Sequence, residues 1–421
     1  MTDVKDKVEK ASVKNNSINK PKTSDNTSQQ DRKNKPEEFS ECEDLSDLQG
    51  DSEIAPGEEG EIIAEISPDD PLVEEETEQT EETETPQLDD DADAFQDNTS
   101  SSQSLKAKIA TTAANYTIKY APDVKPLTGV VPVCAIAIQW ADGHGASVAK
   151  TGSAARSAAR VYESLSDGQY KWRVKTMGIK VPYNRSRHNL NKAEQLVKKI
   201  ADSSNRGPKY GMYLIVNDNA KDFNNAGTDT AHISSPKVHT MEHEGGHILG
   251  NSVKEDRYNL GHAGAYKDGK YEEYGDGLDF MSKYPASTLN IVHQYVLGWI
   301  AWKGKVAQYD IGDPATVYKI DSLNAKISKE GAVRGVLVDR GPSEKQLFFS
   351  EMSMNGKPVY ALHLRQGKNK DATGSGRIAL FGKKKTYDGL TFEVTTVNEE
   401  TFVKISPEEP TSAPKATLKM R

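Results

Sequence analysis

The acidic first hundred residues limit where this chain can form a core. Residues 1–100 contain 31 Asp and Glu against 9 Lys and Arg, and no Lys or Arg occurs from Glu37 to Asp97. A segment with so much charge of one sign and so few apolar side chains cannot bury enough apolar surface to offset its ordering entropy. We therefore predict that residues 1–103 form a disordered acidic tail.

The remaining residues carry the opposite charge. Positions 101–421 contain 45 Lys and Arg against 32 Asp and Glu, although the whole chain has a net charge of -9. Opposite charges attract, so the acidic tail could dock on the basic body. Lys383, Lys384 and Lys385 form the one dense basic run, and no nucleic-acid-binding motif accompanies it. Nucleic acid is therefore not an expected partner.

Cysteine content and hydrophobicity bear on the compartment. Cys42 and Cys134 are the two cysteines, which is too few for a disulfide framework. The N-terminus lacks the apolar run of a signal peptide, and no apolar stretch approaches the roughly 20 residues that a membrane helix needs. These features favour an intracellular or virion-associated protein, without membrane contact, over one secreted through a signal peptide.

Residues 104–303 alternate between strand and helix patterns. "VVPVCAIAIQW" is a Val- and Ile-rich run typical of a buried strand, and "NKAEQLVKKIADSS" has the apolar spacing of an amphipathic helix. Further strand patterns occur in "YKWRVKTMGIKVPY" and "YGMYLIVND". Such alternation predicts a mixed or parallel sheet covered by helices.

The pattern changes after Lys303. Short alternating runs such as "TVYKIDSL", "QLFFSEMS" and "LTFEVTTV" follow one another, separated by Gly, Asp, Asn and Lys. They predict an all-β domain over residues 304–407, antiparallel and similar to a β-sandwich, followed by a C-terminal tail at 408–421. The predicted fold class of the whole chain is therefore α+β.

The segment "HEGGHILG" contains a metal-binding pattern. On a helix, His243 and His247 project from the same face one turn apart, so their imidazoles could share one metal ion. Glu244 follows the first histidine and could accept a proton from a water at that ion. This is the chemistry of the H-E-x-x-H motif of zinc peptidases.

A catalytic zinc ion normally has three protein ligands, so a third ligand is required. Downstream of the motif the candidates are His262 and the carboxylates of Glu255, Asp256, Glu272 and Glu273. The spacing alone leaves these alternatives open.

The sequence that follows resembles the gametolysin-like metzincin zinc metallopeptidases. In that family the third zinc histidine lies in a Leu-Gly-His-Ala stretch, followed by Tyr-Gly-Asp, a Met-turn, an Asn and a Leu-Gly-Trp. Here "LGHA", "YGD", "DFM", Asn290 and "LGW" occur in this order. The resemblance covers roughly residues 126–303 and implies a metzincin-like catalytic domain, a mixed twisted sheet with an active-site helix. It implies His262 as third ligand and Met281 as the structural Met-turn residue.

By this resemblance the chain is expected to be a zinc-dependent endopeptidase acting on a protein or peptide substrate. Zn²⁺ would be held by His243, His247 and His262, and Glu244 would act as general base on the attacking water.

One departure from the family lies inside the motif. The segment between Gly250 and Leu260 is longer than the family pattern allows. Because loop insertions cost little closure entropy, we expect this segment to bulge outward and return His262 to the metal. If it displaces His262 instead, the alternative is a catalytically inactive metzincin-like scaffold with a structural or interaction role, for example in a virion.

Overall fold

The computed structural model describes residues 61–66, 117–218, 225–283, 286, 288–326, 328–341, 345–354, 356–369 and 372–408. The predicted disorder of residues 1–103 lies outside these ranges except at 61–66. The predicted C-terminal tail lies outside them except at its first residue.

Helices occur mainly in the first half of the described chain. Within the described residues they are α1 (Val148–Leu165), α2 (Arg187–Ser204), α3 (Val238–His247), α4 (Ile291–Val296) and α5 (Ile300–Lys303). Ser147 and Ser186 cap α1 and α2, because each side-chain oxygen accepts a hydrogen bond from a backbone N–H of the first turn. Gly298 has φ +70° and separates α4 from α5, a conformation that favours glycine. Among the described residues, no helix is both long and apolar enough to cross a membrane.

A six-stranded sheet forms the first layer. Its strands are β1 (Glu61–Ile66), β2 (Gly129–Gln139), β3 (Tyr170–Lys180), β4 (Met212–Val216), β5 (Asn225–Ala226) and β6 (Thr230–Ile233). They lie in the order β1-β3-β2-β4-β6-β5. The four central strands are mutually parallel, and β1 and β5 are antiparallel to their neighbours. The mixed sheet predicted for this region is confirmed.

Both faces of this sheet are covered by helices. Tyr162 of α1 and Met241 of α3 belong to the core on one face, and Leu196 of α2 belongs to the core on the other. Successive residues of β2 alternate between the two cores, as Val133 and Cys134 illustrate. Burial on both faces explains why β2 is a nearly continuous apolar run.

Strand β1 corrects the prediction for the acidic tail. Residues 61–66 pair antiparallel with β3, from Glu61 opposite Lys180 to Ile66 opposite Thr176. Disorder is therefore the wrong prediction for this segment. Its composition did not reveal the strand, because the backbone hydrogen bonds come from a sheet formed more than a hundred residues later in the chain.

Two further sheets form the β-rich region. The seven-stranded sheet contains β7 (Leu260–Lys267), β8 (Lys270–Glu272), β9 (Val306–Asp310), β11 (Gly335–Asp339), β12 (Leu347–Met354), β13 (Lys357–Asn369) and β14 (Ala372–Phe381). The four-stranded sheet contains β10 (Thr316–Ile320), β15 (Lys384–Tyr387), β16 (Leu390–Val397) and β17 (Glu400–Pro407). The strand orders are β8-β7-β14-β13-β12-β11-β9 and β10-β17-β16-β15.

The two sheets pack face to face. Val336 and Phe349 of the larger sheet share a core with Phe392 and Val403 of the smaller sheet, which agrees with the predicted β-rich C-terminal region. The opposite face of the larger sheet packs on α4 through residues such as Ile291. The pairing is not wholly antiparallel as expected, because β9 is parallel to β11 and β7 is parallel to β14.

The larger sheet crosses the predicted boundary at residues 303 and 304. Strands β7 and β8 precede this position, yet β7 pairs with β14 in register from Leu260 opposite Thr373 to Ala265 opposite Arg377. The β-rich region therefore supplies a direct neighbour to the strand that carries His262.

Candidate metal centre

Three histidines come together where α3 meets β7. His243 and His247 lie on α3, His262 lies on β7, and each offers a ring nitrogen within 4.8 Å of the others. The ring centroids are 4.9 Å apart for His243 and His247, 4.9 Å for His247 and His262, and 5.6 Å for His243 and His262. The structure thus groups all three histidines that the sequence singled out as metal ligands.

The segment between Gly250 and Leu260 closes on itself after α3. It forms two 3-10 turns, Gly250–Val253 and Asp256–Tyr258, and the Gly250 N–H donates to Asn259 Oδ1 at 2.8 Å. The ring of Tyr258 is buried, and its hydroxyl donates to the Lys125 carbonyl at 2.8 Å. The extra residues therefore occupy a compact, anchored bulge, and β7 starts beside the end of α3.

Backbone carbonyls orient the two histidines of α3. His243 Nδ1 lies 3.1 Å from the Phe280 carbonyl oxygen, and His247 Nδ1 lies 2.6 Å from the Leu260 carbonyl oxygen. A carbonyl only accepts hydrogen bonds, so each Nδ1 carries the proton and donates it. Each Nε2 atom then presents its lone pair to a metal ion.

A carboxylate orients the third histidine. His262 Nδ1 lies 2.7 Å from Glu273 Oε1, and this hydrogen bond holds the pKa of Glu273 below its usual value. His262 Nε2 is thereby left as the ligand atom. Glu273 was considered from the sequence only as an alternative ligand, and its orienting role was missed.

Tyr274 lies against the same histidine. Its hydroxyl donates to His262 Nε2 at 3.0 Å, and its ring centroid is 4.2 Å from that of His262. A phenol hydroxyl is thus placed at the ligand atom of the cluster. The sequence pattern contained this tyrosine in "YGD" but gave no role for it.

The environment of the cluster keeps the two histidines of α3 neutral. Burial, and then the neighbouring histidines, lower the pKa of His243 well below its usual value and that of His247 to about 3. A neutral imidazole is the form that binds a metal ion. His239 lies one turn before His243, with ring centroids 6.1 Å apart, and falls outside the group of three.

Two carboxyl groups flank His243. Glu242 and Glu244 are 4% and 6% exposed, and burial raises the pKa of each to about 8. A cation at the histidine cluster would favour the ionised form of a neighbouring carboxyl group. Glu244 is the predicted general base, whereas the backbone carbonyl of Glu242 accepts a hydrogen bond from Tyr162.

The two glycines of the motif allow close packing on α3. A Cβ atom at Gly245 would lie 2.5 Å from Trp172 Cη2, and one at Gly246 would overlap the sulfur of Met281. Met281, the predicted Met-turn residue, is fully buried beside the helix. Its backbone N–H donates to Asp279 Oδ1 at 2.7 Å, and its carbonyl accepts from the Ala263 N–H at 2.8 Å. The turn is therefore fixed to β7 next to His262.

A buried polar network connects this turn to the β-rich region. Asp279 Oδ2 lies 2.8 Å from His293 Nδ1, and Asp276 Oδ2 lies 3.0 Å from His363 Nε2. Asn290 Nδ2 donates to both Asp276 Oδ2 and Ser375 Oγ, at 3.0 and 2.7 Å. Both histidines of this network are fully buried.

Compared with known proteins, the chain matches no protein-family model, no curated protein sequence and no solved structure.

Proposed function

We propose that this chain is a zinc-dependent endopeptidase with a metzincin-like catalytic region. The observation that carries the proposal is the grouping of His243, His247 and His262 within 4.8 Å, with Glu244 beside them on α3. The mixed sheet with the motif on a covering helix is the arrangement that the resemblance implies.

The donor set fits zinc. Three imidazole nitrogens with one open position are typical of catalytic zinc sites, whereas structural sites are closed by four protein ligands. The Nδ1 contacts to Phe280, Leu260 and Glu273 are the outer hydrogen bonds that orient zinc-binding imidazoles.

The remaining chemistry belongs to the side chains of this chain. When bound, zinc would polarise the scissile carbonyl and acidify a water molecule. Glu244 accepts the proton of the attacking water and passes it to the departing amine. The Tyr274 hydroxyl, 3.0 Å from His262 Nε2, is placed to donate a hydrogen bond to the carbonyl oxygen as it gains negative charge.

Metal content and cleavage of a mixed peptide library test the proposal on the full chain. We expect about one zinc per chain, and cleavage lost by at least about a hundredfold in Glu244→Gln with zinc retained. His262→Ala should lose both zinc and cleavage. His239→Ala is the matched control, because this histidine lies on α3 outside the cluster, and it should keep both.

Two results would contradict the proposal. If His262→Ala kept its full zinc content and full cleavage activity, His262 would not be the third ligand. A native chain that binds zinc but cleaves no peptide would favour the alternative of an inactive scaffold with an interaction role.

A further inference from the structure

Strand β1 covers one particular half of the β3 edge. Residues 61–66 pair with Thr176, Met177, Gly178, Ile179 and Lys180. The chain therefore places a segment of its acidic tail on the C-terminal half of an edge strand.

The two halves of β3 differ in charge. The first half carries Lys171, Arg173 and Lys175 at alternate positions, whereas "TMGI" in the second half carries no charge. Charged side chains, lysine above all, protect a sheet edge against pairing with another chain. Residues 176–179 lack this protection, and β1 covers them together with Lys180 at the end of the strand.

The contacts of β1 are compatible with a strand that can detach from β3. The side chains of Ile62 and Ile63 remain 36% and 49% exposed, so neither is fully buried against the body. Backbone pairing with β3 and the ion pair between Glu65 Oε1 and Lys175 Nζ, at 2.6 Å, contribute to holding the segment. Because residues 67–128 connect β1 to β2, the segment is tethered at high effective concentration and needs little intrinsic affinity.

We propose that the Thr176–Lys180 edge is a reversible strand-binding site and that residues 61–66 are its resident ligand. The ligand class is a short extended segment with an apolar centre and a glutamate that reaches Lys175. Residues 61–66 shield the edge in the intact chain, and their displacement opens it to an equivalent strand. The acidic tail thus binds the body by adding a strand to its sheet.

Competition with a free strand tests this proposal in the full-length chain. The probe is a fluorescent synthetic peptide of residues 57–70, and the variant Ile62→Pro/Glu65→Pro removes two backbone donors from the internal strand. We expect the variant to bind the peptide at least about tenfold more tightly than the native chain, whose edge is occupied. Gln79→Pro/Thr80→Pro is the matched control, with the same number of prolines outside the strand, and should behave like the native chain.

A charge exchange tests the register. Lys175→Glu in the proline variant should weaken binding of the native peptide severalfold, and a peptide with Glu65→Lys should restore it. Equal peptide affinity in the native and proline chains, or no binding to a proline variant whose circular dichroism is native, would overturn the proposal.

A second measurement needs no proline. Lys175→Glu in the otherwise native chain should speed amide hydrogen exchange in residues 61–66, and Lys175→Glu/Glu65→Lys should reverse this. Unchanged exchange in the single variant would also overturn the proposal.

Discussion

The contact between Glu273 and His262 links the residue after β8 to a candidate metal ligand through a hydrogen bond. His262 Nδ1 and Glu273 Oε1 are 2.7 Å apart, and the centroid of the Tyr274 ring lies 4.2 Å from that of the imidazole. The neighbouring residue Glu272 pairs instead with Lys283 at 2.8 Å in an exposed ion pair. Two adjacent glutamates therefore have different roles, which allows a matched comparison.

We expect Glu273→Gln to weaken zinc binding by about 10- to 100-fold, because the histidine loses its charged acceptor. Glu272→Gln, the same substitution one position earlier, should leave zinc affinity within about twofold, since an exposed ion pair contributes little. Competition with a chromophoric chelator measures both affinities. An equal loss of zinc affinity in the two variants would mean that Glu273 acts only through its negative charge and not through its hydrogen bond to His262.

Glu244 gives a prediction on pH for the metal-free protein. Burial raises its folded-state pKa to about 8, above the unfolded value of 4.5. Its stabilising contribution is therefore complete below pH 4.5 and is lost as pH rises through 8. Gln at this position does not titrate, so the native chain should lose unfolding free energy relative to Glu244→Gln between pH 5 and 8. The slope should approach about 1 kcal/mol per pH unit.

Thermal unfolding of both chains in the presence of a metal chelator, at several pH values between 5 and 8, measures the difference in unfolding free energy between them. A difference that stays constant with pH would mean that Glu244 is not desolvated in solution.

The sequence predicted the histidines of this site but not their surroundings. His243, Glu244 and His247 follow from helical spacing, which is local. His262 required the resemblance, because the bulge between Gly250 and Leu260 hides the family spacing. Glu273 was not assigned its role, since the contact depends on how β7, β8 and the following turn bring residues 262 and 273 together.

At the scale of elements, two glycines allow α3 to lie close to its neighbours. Gly245 meets Trp172 of β3, and Gly246 meets Met281 of the turn after β8. Glycine weakens a helix by about 1 kcal/mol relative to alanine. Here its smallness lets the helix approach both the sheet and the turn.

Gly245→Ala tests this packing. Despite the better helix propensity of alanine, we expect the variant to lose about 1–3 kcal/mol of unfolding free energy, because the new methyl group would lie 2.5 Å from Trp172 Cη2. Gly382→Ala is the control, since nothing lies within 4 Å of a Cβ there, and it should change stability by less than about 0.5 kcal/mol. Urea unfolding measures both. A Gly245→Ala variant as stable as the native chain would show that the Trp172 side chain can move aside without loss of stability.

Elements with strong local patterns were predicted, and those set by distant partners were not. Strands β2, β3 and β4 and helix α2 follow from apolar patterns in the sequence. Helices α4 and α5 are separated at Gly298, whose backbone lies against Pro126 and Val124. Strand β1 was not predicted, because its partner β3 lies far along the chain and the residues around its apolar centre are predominantly acidic.

At the scale of the whole molecule, both halves of the chain contribute to the surroundings of the candidate metal centre. His262 lies on β7, whose parallel neighbour β14 belongs to the β-rich region. The Thr373 N–H donates to the Asn259 carbonyl at 3.1 Å, and Asp276 contacts His363 and Arg377. Binding of a metal ion to His262 should hold β7 in place and should therefore also stabilise its neighbour β14.

Hydrogen exchange with and without zinc tests this coupling. Zinc at 100 times its dissociation constant stabilises the bound state by about 2.7 kcal/mol, so amides whose opening releases the metal should exchange about 100-fold more slowly. We expect this slowing in α3, in β7 and also in β14, although β14 carries no ligand. Strands β16 and β17 lie in the other sheet and serve as internal controls, with unchanged exchange. Slowing confined to α3 and β7 would mean that β14 opens independently and that the β-rich region does not hold His262 in place.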